Sequence, residues 1–170
     1  MMARKLRIEE LSVVADPWNL KLKPSKLKDV PLDNDFRRKA APLKELTGAK
    51  QDFGFETTLS GRSYVRLLNE MKNDGYRILL FFLWLPSADL AVARVKNRVR
   101  QGGHNVPEPV IRRRFESGIR NLFQLYRPRL DAWWLYDASR LPPKVVAEED
   151  GELQLFHSGL FEEIKRSVEA

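Results

Sequence analysis

Ten residues from Tyr76 to Leu85, Tyr-Arg-Ile-Leu-Leu-Phe-Phe-Leu-Trp-Leu, are apolar almost without a break. Side chains on a strand alternate between two faces, so this run has no polar face to offer water. It fits a strand covered on both sides, as in a parallel sheet flanked by helices. Pro86-Ser87 stops it, and the run is far too short to span a bilayer.

The segments around this run alternate in type. Asp52 to Thr58 predicts a strand with Phe53 and Phe55 on one face, and Leu59-Ser60-Gly61 the turn out of it. Ser60 is the expected N-cap of a helix whose stripe is Tyr64, Leu67, Leu68 and Met71, ended by Asn73-Asp74-Gly75. Ser87 caps a helix from Ala88 to Arg100, and Gly102-Gly103 ends it. The next helix carries Ile111, Phe115, Ile119, Leu122 and Tyr126 and closes at Pro128. Ala132 to Asp137 reads as a strand with one tryptophan in the core and the other over a helix or pocket. A hairpin over 145–156 turns at Asp150-Gly151, and Ser158 caps a last helix over 158–169.

Residues 1–50 form a divergent segment. Leu11 to Asp16 fits a short strand ending in an acid, residues 17 to 34 read as loop broken by prolines, and Asp35 to Thr47 reads as a helix. The order strand, helix, strand, helix, helix, strand argues for an α/β fold with a mainly parallel sheet, its core over residues 51–170.

Charge is concentrated. Arg94 to Arg129 holds ten Arg or Lys and two Glu, a balance of +8, whereas the whole chain is +7. One pair of helices therefore carries the positive excess, which points to an anionic partner. Nucleic acid is disfavoured, because aromatic residues do not interleave with the arginines as a stacking platform requires. The chain has no cysteine, which rules out disulfides and thiolate chemistry and suits a cytoplasmic setting. Its basic N-terminus lacks the apolar stretch of a secretory signal, and no membrane association is expected. His104 and His157 lie far apart without metal-ligand spacing. No Ser/His/Asp set at a useful spacing supports hydrolysis.

Glu56-Thr57-Thr58 falls where a buried strand ends, the place where open α/β sheets bind ligands. A carboxylate and two hydroxyls there suit holding a sugar or helping to position a metal; the plain alternative is a strand-end turn. Arg112, Arg113 and Arg114 are successive on a helix, so at most two of them converge on one ligand. Arg100 and Arg113 flank the Gly-Gly-His-Asn-Val-Pro connector and offer paired donors of fixed charge to a phosphate. The plain reading of these helices is a solvated basic face. Asp16 and Asp137 read as turn residues, and His104 as structural or exposed.

Several of these segments together, Phe55-Glu-Thr-Thr-Leu-Ser-Gly-Arg62, Gly75-Tyr-Arg, Phe82-Leu-Trp-Leu-Pro86, Arg98-Val-Arg-Gln-Gly-Gly-His-Asn-Val-Pro107 and Ile111-Arg-Arg-Arg-Phe115, resemble the zeta-toxin family of P-loop kinases. These kinases are similar to UDP-N-acetylglucosamine kinases. The resemblance implies transfer of the ATP γ-phosphate, with Mg²⁺, to a UDP-sugar or similar metabolite, and an antitoxin as protein partner. By the same resemblance Glu56, Thr57 and Thr58 bind substrate, and Arg100 and Arg113 clamp the ATP phosphates. Asp16 resembles the catalytic Asp that activates the attacking hydroxyl.

The family's opening strand and its Gly-x-x-x-x-Gly-Lys-Ser/Thr loop have no counterpart, since no glycine precedes Gly48. The resemblance therefore implies a truncated or degenerate kinase whose first strand and phosphate loop are missing or replaced, with little activity. The second reading is a non-catalytic binding module for an anionic ligand or a protein partner.

Overall fold

The computed structural model describes residues 10–15, 32–33 and 53–169. Strand β4 (Arg77–Trp84) is the apolar run, and both of its faces are buried. Ile78, Leu80 and Phe82 enter one hydrophobic cluster, and Leu79, Phe81 and Leu83 the other. Fully burying a Leu or Phe side chain contributes about 1.5–3 kcal/mol, and this strand contributes to both clusters.

Six further strands complete the sheet: β1 (Glu10–Ala15), β2 (Leu32–Asp33), β3 (Phe53–Glu56), β5 (Ala132–Asp137), β6 (Lys144–Asp150) and β7 (Glu152–Leu155). Their order is β2-β3-β1-β4-β5-β6-β7. Neighbours from β2 to β5 pair in parallel, whereas β6 runs antiparallel to β5 and β7 antiparallel to β6. The place of the first strand, expected to be missing or replaced, is filled. β1 lies in the middle, level with β3 from Leu11 to Val14 and with β4 from Glu10 to Ala15. Without it, β3 and β4 would each leave a row of buried backbone groups unpaired. Leu32-Asp33, expected in a loop, adds a short parallel strand beside β3. The predicted helix from Asp35 to Thr47, the loop that follows β1, and Asp16 lie outside the described residues.

The helices are α1 (Tyr64–Asn73), α2 (Ala88–Arg100), α3 (Glu108–Asn121) and α4 (Ser158–Glu169). Ser87 caps α2, its side chain accepting from the Leu90 N–H at 3.2 Å. Ser60 does not cap α1, which begins after Ser63; the Ser60 hydroxyl is engaged with Thr58 instead. After α3 the chain widens into a π turn over Leu122–Tyr126 and tightens into a 3-10 turn over Arg127–Arg129. Pro128 has no N–H and its ring crowds the preceding turn, so a regular ladder cannot continue through it.

Helix α3 changes sides. Ile111 and Phe115 pack with the cluster of Leu79 and Phe81, and Ile119, Leu122 and Tyr126 with that of Ile78 and Leu80. The helix thus passes over the carboxyl end of β4, where Gly118 and Phe115 meet Phe82 and Trp84 around a small void. Trp133 and Trp134 are 1% and 3% exposed, so both are core residues. Their indole N–H groups donate to Glu149 and Glu148 on β6, at 2.6 and 2.7 Å. Among the described residues no helix is long and apolar enough to cross a membrane.

Candidate functional site

The loop leaving the carboxyl end of β3 is held in one shape by unusually many contacts. Thr57 is buried, and its hydroxyl accepts from the Leu59 N–H at 3.1 Å. Its own O–H remains available as a donor. The hydroxyls of Thr58 and Ser60 share a hydrogen bond of 2.7 Å. Leu59 is buried with φ at 53°, a left-handed conformation that L-residues rarely adopt. Its carbonyl accepts from the Asn121 amide at 2.9 Å, and the Tyr126 hydroxyl donates to the Gly61 carbonyl. At Gly118 a Cβ would come within 3.0 Å of the Thr58 carbonyl oxygen, so α3 rests on this loop only because residue 118 has no side chain. Strained backbone persists where its surroundings over-determine it, and such places concentrate at ligand sites. Half-buried Glu56 closes β3, level with Val14 of β1, and carries a carboxylate to the same edge.

The basic hairpin of α2 and α3 separates into two kinds of cation. Arg112 bonds Asp89 at 2.7 Å and Glu108 at 2.7 Å, tying the first turns of the two helices together. The hydrogen bond that Arg112 donates to Glu108 raises the Arg112 pKa, and the same bond lowers that of Glu108. Lys96 pairs with Glu108 at 3.4 Å. Arg94 donates to the carbonyls of Ala138 and Ser139 at 2.6 and 3.2 Å, joining α2 to the end of β5. Arg98 donates to the His104 carbonyl at 3.0 Å and folds the connector back on its helix. Gly103 is required there, since a Cβ would lie 2.9 Å from the Arg98 carbonyl oxygen.

Arg100 and Arg113 are exposed and have no ion pair among the described residues.

Arg114, set aside in the sequence in favour of Arg113, lies four residues before Gly118 and lines the void at the end of β4 with Phe82 and Trp84. Sequence reasoning passed over Asn121 and Tyr126, whose signal was weak: a polar residue beside the apolar stripe and a Tyr within it. Burial pushes the Tyr126 hydroxyl up to about 12. Asp137 accepts from the Ser139 N–H at 2.8 Å, a strand-end turn, and the His104 side chain is exposed. Among the described residues no cluster of three or more His, Asp or Glu is arranged to hold a metal ion.

No protein-family profile matches the chain. A curated protein of Haemophilus influenzae, described as uncharacterized, is 34% identical over 85 residues, which make up 49% of this chain and 60% of that protein. A crystal structure of AvrRxo1-ORF1 with AvrRxo1-ORF2 and ATP superposes with a TM-score of 0.60 at 20% identity, over 72% of this chain and 41% of that one. A structure of the PezAT chromosomal toxin–antitoxin system of Streptococcus pneumoniae superposes with a TM-score of 0.54 at 12% identity, over 95% of this chain and 85% of that one. This chain thus spans less than two thirds of the Haemophilus protein and of the AvrRxo1 chain. The α/β fold is shared with the AvrRxo1 complex and the PezAT system, and identities this low define the fold alone.

Proposed function

We propose that the carboxyl edge of the sheet binds a phosphorylated small molecule. Arg100 and Arg113 hold its phosphates, and Glu56, Thr57 and Thr58 take its hydroxyl-bearing part. The observation that carries this reading is the division within the hairpin. Arg94, Arg98, Lys96 and Arg112 are engaged by carbonyl or carboxylate groups of the fold, while Arg100 and Arg113 stay uncommitted among the described residues. Guanidinium groups in that state offer paired donors to phosphate oxygens.

The reaction class that fits is ATP-dependent phosphorylation of a UDP-sugar or similar metabolite, on a P-loop kinase fold whose sheet includes β1 as well as the strands after residue 51. The solved AvrRxo1 complex contains ATP, which supports nucleotide binding as a function of this fold. β1 occupies the middle of the sheet, and Asp16 follows it as the expected acceptor of the substrate proton. Mg²⁺ in such reactions is held mostly by phosphate oxygens, water and one or two carboxylates, a role Glu56 is chemically able to fill. Residues after β1 carry Asp16-Pro17 in place of a glycine-rich cradle. Backbone donors aimed at the β- and γ-phosphates are a large part of phosphoryl-transfer catalysis. Binding without appreciable turnover is therefore the second reading, favoured by that one absence. An antitoxin-type protein partner accompanies either reading, and PezAT is by name a toxin–antitoxin system.

Calorimetric titration with UDP-N-acetylglucosamine, and separately with Mg²⁺-ATP, tests the assignment. Binding of either is expected, weakened by about 1–3 kcal/mol in Arg100→Ala or Arg113→Ala. If both variants bind like the parent, the clamp is wrongly placed. If the folded parent gives no heat with either ligand, the phosphate site itself is refuted. Product formation from the two ligands together would decide between kinase and binding module.

A further inference from the structure

The opposite edge of the sheet has a different character. β7 ends the sheet, and β6 is its one strand partner among the described residues. Free edges are usually blunted by charge, proline or a covering element. Here Leu153 and Leu155 are each 41% exposed and the following Phe156 is 53% exposed. Scattered surface leucines need no explanation, but three large apolar side chains within four residues do on an edge that no further strand pairs among the described residues.

Their direction is set by the register. Leu155 pairs with buried Ala147, and Leu153 with Glu149, which bonds the Trp133 indole. Ala147, Trp133 and the α4 residues Phe161 and Ile164 belong to one cluster. Leu153 and Leu155 therefore extend the sheet face that α4 covers.

Charge then narrows the occupant. Residues 145–170 contain seven Asp or Glu and two Lys or Arg, a balance of −5, so the remaining 144 residues total +12. Glu152, Glu162 and Glu163 are exposed, with no ion pair among the described residues. A second copy of the chain would bring the same acidic strand against this one. A cationic strand complements it.

We propose that the β7 edge is a docking strand for a partner protein, which adds an extended segment of alternating basic and apolar residues to the sheet. Backbone hydrogen bonds supply register, Leu153 and Leu155 take the apolar side chains, and the acidic rim takes the basic ones. The edge lies five strands from β3, about 24 Å, so this contact is separate from the phosphate site.

Fluorescence anisotropy of the whole chain with labelled Lys-Val and Glu-Val alternating peptides tests this. The Lys-Val peptide should bind, more weakly at high salt, and slow amide exchange from Leu153 to Phe156. The double variant Leu153→Ser, Leu155→Ser should bind it about tenfold more weakly while keeping its circular dichroism melt. Both replacements are on exposed side chains, so the fold should survive; Glu152→Lys provides an independent check of the charge argument. Equal binding by parent and double variant would reduce the effect to non-specific charge and overturn the proposal, as would binding of neither peptide. A dimer seen by sedimentation and abolished by the double variant would give the edge to a second copy and overturn it too.

Discussion

Leu59 sets two effects against each other. Its left-handed backbone costs roughly 1–2 kcal/mol, whereas burial of its side chain contributes about 1.5–3 kcal/mol. Leu59→Gly removes both, and Leu59→Ala loses the packing but keeps the strain. Both variants should be destabilised, the alanine one further, by about 1 kcal/mol in urea denaturation. The reverse order would mean that residue 59 is not held left-handed. Tyr126 gives a second residue-scale test. Burial raises its folded pKa to about 12, above the unfolded value near 10, so the folded state favours the protonated phenol. That contribution is complete below pH 10 and falls away as pH rises toward 12. Tyr136 behaves alike, raised to about 12 by burial and then by Glu148. Urea midpoints should therefore fall above pH 10, and Tyr126→Phe should flatten part of the fall. At this scale Ser87 was readable as a cap because it directly precedes an apolar-periodic run. Ser60 was misread because a hydroxyl two residues away competes for it, which spacing does not reveal.

At the scale of elements, β4 was legible together with its buried place, whereas β1 was legible as a strand but not as a central one, for one physical reason. β4 is long and apolar on both faces, so its pattern alone demands double coverage. β1 has six residues, begins with Glu10, and earns its central place through pairing with strands 40 and more residues away. Phe82 packs on β4 near Gly118, and Phe82→Ala should lose about 3–5 kcal/mol by denaturant titration. A variant barely destabilised would show that β4 is not the core strand. Among the site elements, the Gly-rich connector and its flanking arginines stood out in the sequence, but their division of labour did not. Arg112 and Arg113 are neighbours of one type, yet one completes an acidic pair and the other faces solvent. That outcome depends on where Asp89 lies across the hairpin.

For the whole molecule, composition showed an excess of positive charge, and the fold shows where it goes. Helix α3 of the basic hairpin passes over the carboxyl end of β4, while the acidic β6-β7 hairpin forms the far edge of the sheet. Composition, periodicity and caps determined the element types, the buried strand, the lack of thiol chemistry and the candidate anion-binding arginines, because these follow from side-chain chemistry and short-range spacing. Tertiary structure alone decided the strand order, the left-handed Leu59 loop clasped by Asn121 and Tyr126, and which cations remain uncommitted. Each of these depends on contacts between residues tens of positions apart, whose partners no local pattern names.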